Sequence, residues 1–201
     1  MRLAASSKVR AIQQLLVEEQ CDWAVWMGAD TVIMNTAIRF QDFLPQDASK
    51  DLIVGSDKGG GYNSGVFIFR NTDWSKRTLD DWWNMKEFVQ PPGLSKSGDN
   101  SAMKALLANM EDFKDHVLVP PRCTMNSFAK FLTVPESRNI MDELVFKPWY
   151  LDSGYYHKGD FIAHAPGIDN KAEALKLLLI EARSERAATG SGLVRSRDEV
   201  N

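Results

Sequence analysis

The stretch that most constrains this fold is residues 23–35, in which an apolar run leads to one carboxylate and then to a second apolar run. Trp23–Met27 has the length and composition of a buried β-strand, and Gly28, Ala29 and Asp30 follow it as a turn. In an open α/β sheet, ligands bind beyond the carboxyl ends of the strands, so Asp30 is expected at that rim. A carboxylate there suits a hard divalent cation that in turn binds phosphate oxygens.

Apolar runs and amphipathic segments alternate along the rest of the chain, which predicts an α/β layered sheet. Helices are predicted from Ser6 or Ser7 to about Glu19, from Thr72 or Asp73 to Pro91, from Ser97 or Asp99 to about Met110, and from about Lys171. Further strands are predicted at Leu52–Val54, Val66–Phe69, Val117–Val119 and Phe161–Ala163. We expect Ile38–Ser49 to be a loop, one domain to span residues 1–186, and residues 187–201 to form a disordered tail.

Composition disfavours several classes of protein. The 201 residues carry a net charge of −3 with a sequence pI of about 5.7, so a nucleic-acid backbone is not an expected partner. No apolar run reaches the roughly 18–20 residues of a membrane span, and Met1–Gln20 is amphipathic rather than a signal peptide. Cys21 and Cys123 form no zinc or redox motif. They either pair or stay as buried thiols, and buried thiols are the simpler interpretation.

Four segments of the chain resemble one protein family. They are Trp26–Asn35, Tyr62–Asn71 with the tryptophan-rich helix after it, Gly98–Met103 and Gly159–His164. In this order and spacing they are similar to glycosyltransferase family 34, the galactosyl/xylosyl/mannosyl type. The resemblance implies a GT-A fold, which is a nucleotide-binding α/β domain with a mixed central sheet. It also implies Mn²⁺-dependent transfer of a sugar from a nucleotide-sugar, typically a UDP-sugar, to a hydroxyl with retention of anomeric configuration.

The same resemblance implies a cellular setting and reveals two departures. Family members usually work in the Golgi as single-span membrane proteins, so a Golgi membrane location and a glycan acceptor are expected. Gly28 stands where the family motif Asp-x-Asp has its first aspartate, and the chain begins at the helix before this motif. We therefore expect an N-terminally truncated domain without the family's first strand–helix–strand unit. Losing one carboxylate should weaken Mn²⁺ binding, and Gly28→Asp is expected to tighten it.

By resemblance, eight residues receive roles in a site. The metal ligands would be Asp30 and His164, the catalytic residues Asp99 and Asn100, and the substrate-binding residues Asn63, Ser64, Gly65 and Lys171. Four aromatic residues in the irregular segment before His164 are candidates for an acceptor-binding wall: Trp149, Tyr150, Tyr155 and Tyr156.

Each assignment competes with a plainer interpretation. Asp30 and Asp99 suit turn or helix caps, and Asn63–Gly65 suits an ordinary entry into a strand. His164 suits a structural histidine, and Lys171 suits a surface lysine in the first turn of a helix.

Two functions of different classes remain open at this point. The first is a metal-dependent transferase that uses a nucleotide-sugar donor. The second is a non-catalytic relative that binds a glycan or a protein partner, and Gly28 favours it. A hydrolase with paired carboxylates is disfavoured because no two acidic residues stand at a defined separation in the sequence. The sequence predicts no oligomeric state.

Overall fold

The computed structural model describes residues 7–46, 49–57, 60–89, 98–121, 123–129, 154–167 and 170–190. The helices in these ranges are α1 (Ser7–Val17), α2 (Asp73–Asn84), α3 (Gly98–Ala108), α4 (Phe113–His116) and α5 (Lys171–Gly190). The strands are β1 (Trp23–Met27), β2 (Thr31–Ile33), β3 (Leu52–Ser56), β4 (Tyr62–Arg70), β5 (Val117–Leu118), β6 (Ser127–Phe128) and β7 (Ile162–His164). Two short 3-10 helices lie at Phe40–Phe43 and Lys86–Phe88.

The larger sheet has four strands in the order β1-β4-β3-β5. It is mixed, because β4 is antiparallel to β1 and β3 whereas β5 is parallel to β3. Successive side chains of a strand point to opposite faces, and both faces of β4 are covered. Phe67 and Phe69 pack with apolar residues of α1, α2 and α3, and Val66 and Ile68 pack on the other face.

Three amphipathic helices bury their apolar stripes in the first of these cores. Helix α1 buries Val9, Ile12 and Leu16, which recur at helical spacing. Helix α2 begins after Thr72, whose hydroxyl accepts a hydrogen bond from the Ser75 amide at 3.2 Å. Its tryptophans at positions 74 and 82 are buried in this core. This layer fixes the start of β4 against α1 and α3.

The smaller sheet has three strands in the order β2-β7-β6. β7 is antiparallel to β2 and parallel to β6, and α5 covers one face with Ala174, Leu178 and Ala182. The two sheets share a core in which Ile162 of β7 packs in one cluster with Ile68 of β4. The mixed α/β architecture is therefore confirmed, with two sheets in the described residues rather than one central sheet.

The predicted elements agree with the structure except near some ends. Helix α2 stops at Asn84 and a 3-10 turn follows it, so it ends before Pro91-Pro92-Gly93, which lies outside the described residues. The predicted loop at 38–49 contains the 3-10 helix Phe40–Phe43, whose rings pack on Phe161 with centroids 4.9 and 5.5 Å apart. Helix α5 continues to Gly190, four residues beyond the predicted domain end at 186, and residues 191–201 lie outside the described part.

Two further features bear on the expectations from composition. Among the helices that the structure describes, none combines the length and the apolar character needed to cross a bilayer. Cys21 and Cys123 are not joined by a disulfide, and both are half-buried.

Candidate functional site

Asp30 and His164 lie next to each other although 134 residues separate them in sequence. Strand β2 pairs with β7 so that Thr31 faces His164, and Asp30 immediately precedes Thr31. The Ala165 amide donates a hydrogen bond to the Asp30 carbonyl at 2.8 Å, which extends this ladder by one step. The Nε2 atom of His164 lies 3.3 Å from Oδ1 of Asp30. The ladder thus brings the two predicted metal ligands together at one sheet edge.

Lys171 completes this cluster from a third element. It is the first residue of α5, and its Nζ contacts the other carboxylate oxygen of Asp30, Oδ2. Burial alone would raise the pKa of the Asp30 carboxyl, but hydrogen bonds to His164 and Lys171 outweigh burial and hold that pKa well below its usual range. Asp30 is therefore an anion at neutral pH, held between an imidazole and an ammonium group.

The His164 ring is enclosed by its neighbours. The Phe128 ring stacks on it with centroids 5.8 Å apart, and the imidazole is only 4% exposed. A Cβ atom at Gly65 would lie 2.8 Å from His164 Nδ1 and closer still to Cε1, so only glycine leaves room for the ring. Nδ1 is buried and has no hydrogen-bond partner in the described part of the chain. Gly65 is thus a packing partner of the imidazole.

Position 28 faces the same carboxylate. The Gly28 amide donates to the Gly65 carbonyl at 2.8 Å, and Thr31 Oγ1 donates to the Gly28 carbonyl at 2.6 Å. A Cβ atom at Gly28 would lie 2.8 Å from Oδ1 of Asp30. A carboxylate at position 28 would therefore stand beside Asp30, where the family motif has its first aspartate.

The start of β4 carries the second half of the site. Because β4 runs antiparallel to β1, its first residues lie next to the end of β1, with Val66 opposite Met27. Asn63 and Ser64 are buried there, and the Asn63 Oδ1 atom accepts a hydrogen bond from the Gly65 amide at 2.8 Å. Gly65 joins this half to the first, since it contacts His164.

Asp99 and Asn100 reach this segment from the first turn of α3. Oδ1 of Asn100 accepts from the Ser64 amide at 2.7 Å, and the Ser64 hydroxyl donates to Oδ2 of Asp99 at 3.1 Å. The side chain of Asp99 is 8% exposed. The structure therefore brings all eight predicted residues into one continuous contact network, whose chemical roles stay predictions.

Sequence reasoning missed Lys8, the charged group at the centre of this network. Its Nζ lies 2.6 Å from Oδ2 of Asp99 and donates to the Ser64 carbonyl at 2.9 Å, and the residue is 8% exposed. A lysine near a helix start normally indicates a solvated face. The available signal was its spacing: Lys8 precedes Ile12 by one helical repeat and therefore lies on the buried stripe of α1.

Three polar residues behind Asn63 and Asn100 were also missed. Asn126 donates to Oδ1 of Asn63 at 3.1 Å, and Asp57 accepts from Lys104 at 2.6 Å and from Asn100 at 3.3 Å. These residues come from the segment before β6, the end of β3 and the middle of α3. No local sequence pattern identifies them, because each acts through a contact between distant segments.

Two of the aromatic residues proposed for an acceptor-binding wall do not form one. Tyr155 and Tyr156 are 7% and 9% exposed, and the Tyr156 ring lies in the core under α5. Its hydroxyl donates to Glu185 at 2.8 Å. That interpretation is wrong for both residues, because both are buried. Trp149 and Tyr150 lie outside the described residues.

Two known proteins are similar to this chain in sequence. Galactomannan galactosyltransferase 1 of Cyamopsis tetragonoloba is 26% identical over 167 residues, which cover 79% of this chain and 34% of that protein. Probable alpha-1,6-mannosyltransferase MNN10 of Saccharomyces cerevisiae is 24% identical over 148 residues, which cover 60% of this chain and 38% of that protein. The chain thus spans roughly a third of the length of these relatives.

A solved structure shows the same fold. It is that of a glycosyltransferase involved in the glycosylation of the major capsid of PBCV-1, with a TM-score of 0.55 at 13% identity, covering 87% of this chain and 75% of the other. The fold is accordingly GT-A-like. The galactosyl transferase GMA12/MNN10 family matches residues 40–173, more than half of the chain. This chain belongs to the galactosyl transferase GMA12/MNN10 family.

Proposed function

We propose that this chain forms the metal- and donor-binding part of a retaining glycosyltransferase that uses a nucleotide-sugar, with UDP-sugars as the expected class. The acceptor is a hydroxyl of a glycan or of another molecule. One observation carries the proposal: Asp30, His164 and Lys171 converge from three separate segments on one point. The carboxylate and the imidazole suit a divalent cation, and the ammonium group suits the diphosphate that such a cation binds.

The donor atoms fit a divalent cation. Oδ1 of Asp30 and Nε2 of His164 lie 3.3 Å apart, near the spacing of about 3 Å between adjacent ligands on an ion with bonds of roughly 2.1 Å. Carboxylate oxygen with one imidazole suits Mn²⁺, which the family resemblance implies. When bound, the cation would act as a Lewis acid that stabilises the diphosphate leaving group.

Lys171 supplies the second positive charge near the leaving group. Its ammonium pairs with Asp30 and is 48% exposed, so the side chain has room to turn from the carboxylate to an arriving phosphate oxygen. Both carboxylate oxygens of Asp30 would then be available to bind the cation. We propose that Lys171 binds the diphosphate and thereby favours departure of the nucleotide.

The network at the start of β4 would hold the sugar side of the site. Asp99 carries a negative charge that can stabilise positive charge developing on the transferred sugar. Lys8 and the Ser64 hydroxyl both bind its Oδ2 atom, which fixes its orientation. Asn100 holds the Ser64 amide, so its proposed contribution is to keep this segment in place.

A non-catalytic function is the alternative, and a specific observation favours it. Lys171 already neutralises Asp30, and Gly28 contributes no second carboxylate. A relative of this kind would bind a glycan or a protein without using a cation. The expected Golgi location stays a prediction under either function.

Thermal unfolding with ligands separates the two functions. A ligand present at about 100 times its Kd stabilises the folded state by about 2.7 kcal/mol, which raises the Tm of a protein of this size by roughly 5–10 °C. We expect such a rise with Mn²⁺ and UDP together, and not with Mn²⁺ and uridine. Asp30→Asn should abolish it, whereas Asp80→Asn, at a side chain 58% exposed, should keep it. No shift for the wild-type chain would favour the non-catalytic function.

A further inference from the structure

Three metal-binding side chains that the proposed function does not use converge near the small sheet. The ligand atoms of Cys123, His157 and Asp160 all lie within 4.8 Å of one another. Cys123 precedes β6 and the other two precede β7, so the group lies at the starts of two parallel, hydrogen-bonded strands. His164 is at the other end of β7. The cluster is therefore separate from the Asp30–His164 pair.

Neighbouring groups orient the Asp160 carboxylate. Its Oδ2 atom accepts from the Ser127 hydroxyl at 2.7 Å and from the His157 amide at 2.9 Å, and Ser127 is fully buried. In metal sites, hydrogen bonds of this kind from surrounding residues fix the orientation of the carboxylate that binds the metal. The Cys123 thiol lies 3.3 Å from the Tyr155 carbonyl, which directs the sulfur toward the segment carrying His157.

The donor set discriminates between metals. A thiolate with an imidazole and a carboxylate suits Zn²⁺, whereas Mn²⁺ and Mg²⁺ prefer oxygen ligands. Ligand atoms around a tetrahedral zinc ion are roughly 3.3–3.8 Å apart, so the three atoms need to move inward by only about 1 Å. The His157 side chain is exposed and can make that adjustment. The Asp30–His164 pair contains no sulfur ligand, so it suits harder cations such as Mn²⁺ better than the cysteine-containing cluster does.

We propose that Cys123, His157 and Asp160 form a second metal site, selective for Zn²⁺, that clamps the starts of β6 and β7. Three protein ligands hold the ion and a water molecule takes the fourth position. Binding displaces the Cys123 thiol proton to solvent. Because β6 and β7 also carry Phe128 and His164, the clamp would rigidify the strands that enclose the imidazole. This inference is independent of the proposed transferase function.

Thiol protection tests the site without altering the chain. Cys21 and Cys123 are both half-buried, and only Cys123 belongs to the cluster. Cys21 is therefore the internal control for labelling of Cys123. The full-length chain is treated with a thiol reagent with and without one equivalent of Zn²⁺, and the labelled cysteine is identified by peptide mass. We expect Zn²⁺ to slow labelling of Cys123 by at least about tenfold and to leave Cys21 unchanged. Equal protection of both thiols, or of neither, would overturn the proposal.

Cobalt substitution tests the ligand set. Co²⁺ bound through a thiolate shows a sulfur-to-metal charge-transfer band, which a site made of oxygen and nitrogen alone lacks. We expect this band in the wild-type chain and in Cys21→Ser, and its loss in Cys123→Ser. Asp30→Asn should retain it, since that residue lies in the other site. A band that survives Cys123→Ser, or no band in the wild-type chain, contradicts the assignment. If Cys123→Ser does not fold, the protection experiment decides alone.

Discussion

At the scale of single residues, Gly65 joins the two halves of the site. It has Asn63 on one side and the His164 ring on the other, and a Cβ atom would lie 2.7 Å from Asn63 Oδ1 and 2.8 Å from His164 Nδ1. The family resemblance placed Gly65 among the substrate-binding residues, and an ordinary entry into a strand was the plainer interpretation. Neither predicted that Gly65 packs against the candidate metal ligand.

Gly65→Ala should therefore disturb both stability and ligand binding. We expect it to lower the free energy of unfolding by about 1–3 kcal/mol, since the buried ring cannot move freely. The Tm rise with Mn²⁺ and UDP should disappear with it. Gly55→Ala is the matched control, because its Cβ atom would meet Asn126 Cβ at a milder 3.3 Å. Urea unfolding that ranks Gly55→Ala as the more damaging change would contradict this account.

Lys8 and Asp99 form the ion pair inside this network, with side chains 10% and 8% exposed. Removing one partner leaves an uncompensated buried charge, so Lys8→Met should cost about 3 kcal/mol of unfolding free energy. The double variant Lys8→Met with Asp99→Asn should recover part of that loss. Lys76→Met removes a lysine of α2 whose side chain is 41% exposed, and it should change stability by less than about 0.5 kcal/mol. Strictly additive effects of the two substitutions would argue against the pair.

At the scale of secondary-structure elements, the sequence pattern predicted four of the five helices and five of the seven strands that the structure describes, and missed α4, β2 and β6. The strand at Trp23–Met27 has the predicted bounds, and α1 begins at Ser7 as expected. The differences between the predicted and the observed elements arise where contacts between distant segments determine the local conformation. The aromatic residues of Phe40–Phe43 form a short helix whose rings pack on Phe161, and the two-residue strand β6 forms through its pairing with β7 and with the segment around Tyr155. Neither is visible in a local pattern.

The attachment of α5 to the small sheet includes a titratable hydrogen bond. Burial raises the pKa of the Tyr156 phenol, and the hydrogen bond to Glu185 raises it further. The folded protein thus holds this proton more tightly than the unfolded chain, in which tyrosine titrates near pH 10. The resulting stability is fully present below about pH 10 and is lost as the pH rises above that value.

Tyr156→Phe exposes this dependence on pH. Near pH 8 we expect the variant to be less stable than the wild-type chain by about 1 kcal/mol, the net contribution of one hydrogen bond. Above about pH 10 the difference should shrink, because only the wild-type chain has a phenol to ionise. Urea unfolding of both proteins at the two pH values measures it. A difference that stays constant with pH would contradict the raised pKa of the Tyr156 phenol.

At the scale of the whole molecule, the site exists because two sheets meet. The larger sheet supplies the start of β4, and the smaller sheet brings Asp30 and His164 together through the pairing of β2 with β7. The family resemblance predicted which residues belong together, and strand pairing shows how they reach one another. The helical spacing of Lys8 from Ile12 indicated a buried position but not its partner, and Asn126 could not be identified beforehand because its contact with Asn63 joins segments distant in sequence.

The most direct test of the central claim is a Mn²⁺ titration followed by electron paramagnetic resonance in the presence of UDP. We expect the wild-type chain to remove one equivalent of free Mn²⁺ signal, and Asp30→Asn and His164→Gln to remove far less. Gly28→Asp, which places a second carboxylate beside Asp30, should bind Mn²⁺ more tightly than the wild-type chain. A free Mn²⁺ signal that falls equally for the wild-type chain and Asp30→Asn would contradict the assignment of this site.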